Sequence, residues 1–428
     1  MILPLLAALQ VASTQDSLPV VTLAEALQRS ANLDPNYVSA VGQVSNADWS
    51  RRAALALFIV PAVTVSANAT RYWPPTFNLA TFQPARQSVT ALIDARLDLF
   101  TGGQKIAGLS ASSAQLESAR AGELQARLTT AMNTESDYYA VLSQRALERV
   151  AEDQLQRAQQ QFSVARARVT SGAAVQTDSL QLALGLTQAR VALLQQQAAL
   201  RAARLQLGRR IGLEGPADAA PVPSDSTAPA LPFPVEDAVS RALAQGPSWR
   251  VARANERATR ALLWSQRGAY LPRATLEFIG GAFDTTFYPK LARRSQLALT
   301  VTLPLWNNGQ REVQLSQARV NHDVAAAIRA DLERSAWHDV TAAYDAYETN
   351  RATIALDRDA VVVARENNRV QETRYRAGAT TILDLLDAQN RLVSAEADLV
   401  QAMYNTRLAR AGLEVILGER INFEQGSQ

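Results

Sequence analysis

The sequence predicts a mainly α-helical chain with a small antiparallel β-sheet, built twice over. Three observations predict it: landmarks recurring at one fixed offset, paired segments of period-two hydrophobicity, and long stretches whose apolar residues recur at threes and fours.

The duplication comes first, because it sets the length of everything else. "LDLFTGGQ" (Leu97–Gln104) matches "LPLWNNGQ" (Leu303–Gln310), which puts Gly103 on Gly309 and residue n of the first copy on residue n + 206 of the second. The same offset puts Gly172 on Gly378, Asp178 on Asp384 and Gly212 on Gly418. The spacing divides the chain into a first repeat over 14–212, a linker over 213–234, a second repeat over 235–418 and a C-terminal tail over 419–428. The linker holds six prolines between Pro216 and Pro234, which exclude regular helix there.

Each repeat opens with a helical stretch (about 22–57 and 235–269) that runs to Pro61 or Pro272. Two strands follow, at about 62–73 and 88–100 in the first copy and about 273–284 and 295–306 in the second. In the first copy Val89, Ala91, Ile93, Ala95 and Leu97 alternate with Thr90, Leu92, Asp94, Arg96 and Asp98. In the second, Leu297, Leu299, Val301, Leu303 and Leu305 alternate with Ala298, Thr300, Thr302 and Pro304. One apolar and one mainly polar face suit a strand between lipid and a wet lumen, and equally a half-buried hairpin in a soluble sandwich. Aromatics near the loops (Tyr72, Trp73, Phe77, Phe283, Phe287, Tyr288) and at the far ends (Phe100, Trp306) suit interfacial girdles.

Long helices are expected at about 104–170 and 310–376, entered through Gly103 and Gly309. Breaks at Gly172 and Gly378 lead to return helices at about 174–211 and 380–417. Val320, Val324, Ile328, Leu332, Ala336 and Val340 form a coiled-coil stripe on the long helix; Val393, Ala397, Val400, Tyr404 and Leu408 form another on the return helix. A 67-residue helix is roughly 100 Å long, about the length of two short helices stacked end to end.

Composition narrows the function. Net charge is only +3, which argues against a broad nucleic-acid footprint. There is no cysteine, and the histidines are His322 and His338 alone, so thiol catalysis, disulfides and cysteine-based metal sites are excluded and no cofactor or metal is expected. His338–Asp339 is read as a helix-packing or wall pair rather than a catalytic one. The opening "MILPLLAALQVAS" reads as a signal peptide over 1–13, or else as a buried first helix. No apolar run is long enough for a membrane-spanning helix, so any membrane insertion must use a β-barrel. Four strands per chain cannot close one, and three or more chains are needed to leave a channel.

"LFTGGQ", "LWNNGQREVQLSQAR" and "YRAGATTILDLLDAQNRL", within the duplicated hairpin-and-long-helix plan, resemble the TolC family of outer-membrane efflux proteins. The resemblance implies a homotrimer whose twelve-stranded barrel in outer-membrane lipid continues as a periplasmic tunnel of antiparallel coiled coils. It implies a passive duct, not an enzyme, working with a periplasmic adaptor and an inner-membrane pump of the resistance-nodulation-division, ABC or major-facilitator type, in efflux or type I secretion. The other reading of the helices is a periplasmic coiled-coil scaffold without a barrel.

The resemblance also assigns the tip. Gly172 and Gly378 become the turns where the adaptor docks. Asp384 and Asp387, three apart on one helix face, become a pore gate. The residues alone allow them equally to compensate the dipole of the helix start. Only Asp178 and Gln181 stand at these places in the first copy. Asp178 and Tyr375 fall where the family links its two coiled coils. Thr380 stands where an arginine strengthens that link, leaving Arg374 or Arg376 to substitute.

Overall fold

The computed structural model describes residues 18–78, 83–222, 228–284 and 292–421. The expected signal peptide, Phe287 and Tyr288 lie outside these residues.

A two-residue strand β1 (Val20–Val21) leads into α1 (Leu23–Ala31) and α2 (Pro35–Ala56). The sequence suggested one helix here. Asp34 divides it by capping α2, accepting from the Asn36 amide at 2.9 Å, with Pro35 placed where no amide hydrogen is needed. A long hairpin follows, β2 (Ala62–Asn78) and β3 (Gln83–Thr101), then α3 (Gln104–Thr170) and α4 (Gln176–Arg210). The linker contributes β4 (Asp218–Ala219), which pairs in parallel with β1 and ties the start of the first repeat to its end. The second repeat gives α5 (Val235–Gln245), α6 (Pro247–Gly268), β5 (Arg273–Asp284), β6 (Ala292–Thr302), α7 (Gln310–Arg376) and α8 (Ile382–Leu417). Gly246 and Pro247 split α5 from α6 as Asp34 and Pro35 split the first pair.

The two hairpins form one antiparallel sheet in the order β2-β3-β5-β6. Strand bounds differ from those expected in both hairpins, β6 also starting earlier, at Ala292. The first hairpin runs closer to its loop, because Pro74 and Pro75 are absorbed by a register shift between Arg71 and Thr76. β6 stops at Thr302, so Leu303 and Leu305 lie beyond it; Pro304 offers no amide to continue the ladder. Ladder partners share a face. Val65, Ile93, Phe278 and Leu297 are on one side, Thr64, Asp94, Glu277 and Gln296 on the other. The apolar side is bare, with Val65 74% and Leu297 69% exposed.

Near the sheet α3 packs against α2 and α6; towards its far end it packs against α4 and α8. The exchange occurs at a waist where the repeats build equivalent cores. Leu207 and Ile211 anchor one and Leu413 and Leu417 the other. Tyr138 and Tyr344, equivalent residues, donate to linker-side carbonyls of Ala220 at 2.7 Å and Phe233 at 3.1 Å. The α7 stripe divides here: Val340 is buried, whereas Val320, Val324 and Ile328 are exposed. No described helix is long and apolar enough to cross a membrane.

Candidate functional site

Opposite the sheet, both long helices end in the same way. The Gly172 amide donates to the Val169 carbonyl at 3.0 Å and that of Ala173 to Arg168 at 2.8 Å; Gly378 and Ala379 repeat this with Tyr375 and Arg374 at the same distances. This paired pattern needs a left-handed residue, and the glycines supply it at φ 74° and 76°. Gly103 and Gly309, at the helix starts, are left-handed too.

The second turn then starts α8 with a reciprocal cap. Thr381 Oγ1 accepts from the Asp384 amide at 3.3 Å, and Asp384 Oδ2 accepts from the Thr381 amide at 3.1 Å. Thr381 and Thr380 hydroxyls donate to the same oxygen at 2.7 and 2.8 Å. The Thr381 hydroxyl first, then that of Thr380, hold the Asp384 carboxyl below its ordinary pKa. Oδ1 makes no hydrogen bond among the described residues. Asp387 pairs with Arg391 at 2.8 Å, both groups exposed. Both acids face solvent at the tip, and Asp384 serves the helix start as well.

Tyr375, at the end of α7, is buried in a cluster that joins the hairpins: Ala165 of α3, Leu182 of α4, and Ile382 and Leu385 of α8. Burial first, then the charge of Asp178, raises its phenol pKa. Asp178 thus lies beside the hydroxyl, where a weak hydrogen-bonding contact adds to the shift, but no bond of ordinary geometry closes on the buried oxygen. Neither candidate for the missing arginine crosses between hairpins. Arg374 donates to Ala379 in its own turn at 3.4 Å, and Arg376 pairs with Glu372 along its own helix. At the tip, the arginine that reaches across to the second hairpin comes from the first repeat. Arg168 donates to the Tyr375 carbonyl and lies over the Tyr375 ring, 5.0 Å from its centroid. Sequence reasoning missed it, although an arginine four residues before each turn glycine was there to read.

His338 is exposed on α7 and contacts Asp339 at 2.9 Å, so it packs no helix interface within the chain. No cluster of metal-ligating side chains is found among the described residues.

Comparison with known proteins gives this architecture its family. The Outer membrane efflux protein family matches residues 23–213 and 238–419, one segment per repeat. The outer membrane efflux protein BepC of Brucella suis is 27% identical over 363 residues, covering 82% of this chain and 76% of BepC. Outer membrane protein TolC of Escherichia coli is 24% identical over 200 residues, covering 44% of this chain and 41% of TolC. The solved CmeC outer membrane channel of Campylobacter jejuni superposes with a TM-score of 0.80 at 14% identity, over 95% of this chain and 87% of that one, which speaks to the fold alone. The chain belongs to the Outer membrane efflux protein family: it is a TolC-type efflux channel of the Gram-negative outer membrane, a transport protein and not an enzyme.

Proposed function

We propose that three copies close a twelve-stranded barrel and continue it as a helical duct, the passive exit of a tripartite efflux or type I secretion system. One observation carries this reading: β2 and β6 are open edges of a sheet whose apolar face is exposed, and an open edge is not viable in lipid. The exposed stripe of Val320, Val324 and Ile328 supports it, since a neighbouring copy would cover those residues.

At the tip, Asp384 and Asp387 of three copies ring the aperture as its gate, with Oδ1 of each Asp384 available to water or a cation. Asp178 and Tyr375 hold the two hairpins together. The turns at Gly172 and Gly378 are the docking points of a periplasmic adaptor, which links the duct to an energised inner-membrane pump. In an unboiled SDS gel of outer-membrane extracts the protein is expected to run as a heat-modifiable trimer. A monomer in both lanes overturns the proposal. Crosslinked pull-down of the tagged protein then identifies adaptor and pump.

A further inference from the structure

We infer that Arg168 is the clamp that fastens the first helical hairpin to the second, and that releasing it is a step in widening the aperture. The inference rests on the tip being the gate, but its geometry is independent of the aspartates.

Three contacts converge on one guanidinium. Arg168 donates to the carbonyl of Tyr375 in the other hairpin and sits over that residue's ring, 5.0 Å from its centroid. It also donates to the Ala173 carbonyl of its own turn at 3.3 Å. A planar fork is suited to this, because one group can serve two carbonyls and a ring face at once. The carbonyls it binds lie at or next to helix C-termini, where the backbone dipoles present partial negative charge.

The duplicated partner shows that this contact is not a by-product of the turn. Arg374 is the second-repeat equivalent and makes the same own-turn bond, to Ala379 at 3.4 Å. It has no ring to reach, because Tyr375 is replaced at the equivalent place in the first repeat by Val169. The turn-capping role is therefore common to both repeats, and of these two arginines Arg168 is the one that crosses; farther from the tip Arg157 of α3 also crosses, to Glu396 of α8 at 3.4 Å. Tyr375 is 4% exposed and packs on Leu182 and Leu385, so its ring is a fixed plate rather than a swinging one. Opening the tip by moving one hairpin against the other must separate the guanidinium from that plate.

The chain has no cysteine, so Ser171→Cys and Ala377→Cys place spin labels at equivalent exposed positions beside the two turns. Distances are measured by pulsed electron resonance in spin-diluted full-length protein. Variants that run as the assembled species on an unboiled gel are compared. Arg168→Ala is expected to lengthen and broaden the distance distribution, Arg168→Lys to do so partially, and Arg374→Ala to leave it unchanged. If the alanine variant does not assemble, Arg168→Gln carries the test. An unchanged distribution in Arg168→Ala overturns the clamp, as does equal broadening in Arg374→Ala. Single-channel conductance of the same variants separates the two ideas. Broadening without a conductance change keeps the clamp and removes the tip as the gate.

Discussion

Thr381 and Asp384 cap one another, each accepting a hydrogen bond from the other's backbone amide, at 3.3 Å and 3.1 Å. The carboxylate proposed to face the aperture is therefore also the start of α8, and the two duties can be pulled apart. Asp384→Asn keeps an acceptor and loses the charge, so divalent-cation block should weaken while α8 stays formed. Thr381→Ala keeps the charge and removes about 1 kcal/mol of helix start, so first-turn amides should exchange faster with block retained. Bilayer recordings with magnesium and hydrogen exchange read the two effects. Wild-type block in Asp384→Asn would take Asp384 out of the gate.

The pH dependence follows from the same bonds. The Thr381 hydroxyl, then that of Thr380, hold Asp384 below its ordinary value, so the folded carboxylate stays charged where the unfolded one begins to protonate. Its contribution to the tip is full above the ordinary range near roughly 4, and is lost as pH falls through the lowered value. Exchange of the first α8 amides, corrected for intrinsic rates, should be flat from neutral pH to about 5. It should rise at lower pH, and Asp384→Asn should show no such step.

Tyr375 offers a cleaner division between ring and hydroxyl. The hydroxyl has only a weak contact with Asp178 and closes no hydrogen bond of ordinary geometry, whereas the ring fills the tip cluster and receives Arg168. Tyr375→Phe should leave conductance near wild type, because a buried unpaired polar atom stabilises little. Tyr375→Ala should open the channel and cost about 3–5 kcal/mol of local packing. A large opening in Tyr375→Phe would instead make the Asp178–hydroxyl pair the dominant link.

The turn glycines should behave alike, since backbone conformation and not space constrains both. A Cβ at Gly172 meets nothing within 4 Å, while one at Gly378 comes to 3.4 Å from Arg168 Nη2. Both alanine variants should cost about 1 kcal/mol or somewhat more for the left-handed backbone. The contact at Gly378 is of ordinary van der Waals length with the flexible end of Arg168, so the distance between the two hairpins should stay near wild type in both variants.

The sheet faces allow a test with two adjacent residues. Leu299 belongs to the exposed apolar face and Ala298 to the polar one opposite Glu277. Leu299→Arg should be costly, by about 2–4 kcal/mol if it falls at the bilayer midplane and less toward the interface, and should deplete the heat-modifiable species. Ala298→Arg, facing Glu277 across a wet lumen, should assemble.

Much of the architecture was legible because a duplication prints it twice. The alternation of Val89 to Leu97, the turn glycines and the α7 stripe each follow a period that one sequence displays. Other features rest on contacts between distant residues and leave no period. β1 and β4 are two residues each and find one another across the whole first repeat. The helix breaks at Asp34 and Gly246 were visible as cap-plus-proline pairs but lay inside otherwise helical patterns. At the site, the glycines and Asp384 could be located from spacing. The crossing of Arg168 could not, because it depends on how two hairpins lie together.

The spliced construction has a mechanical consequence. α3 and α7 run unbroken from sheet to tip, while the helices beside them change at the waist. Each column is thus a two-ply cord with one continuous ply and one joined ply. Torque applied at the tip climbs the continuous ply, but crosses the join through side-chain contacts, the cores around Leu207 and Leu413 and the ion pairs of Arg210 with Asp34 and Asp137. The waist is therefore a joint held by side chains rather than by unbroken backbone in the shorter ply, and a twist of the lower coils against the sheet would be taken up there first.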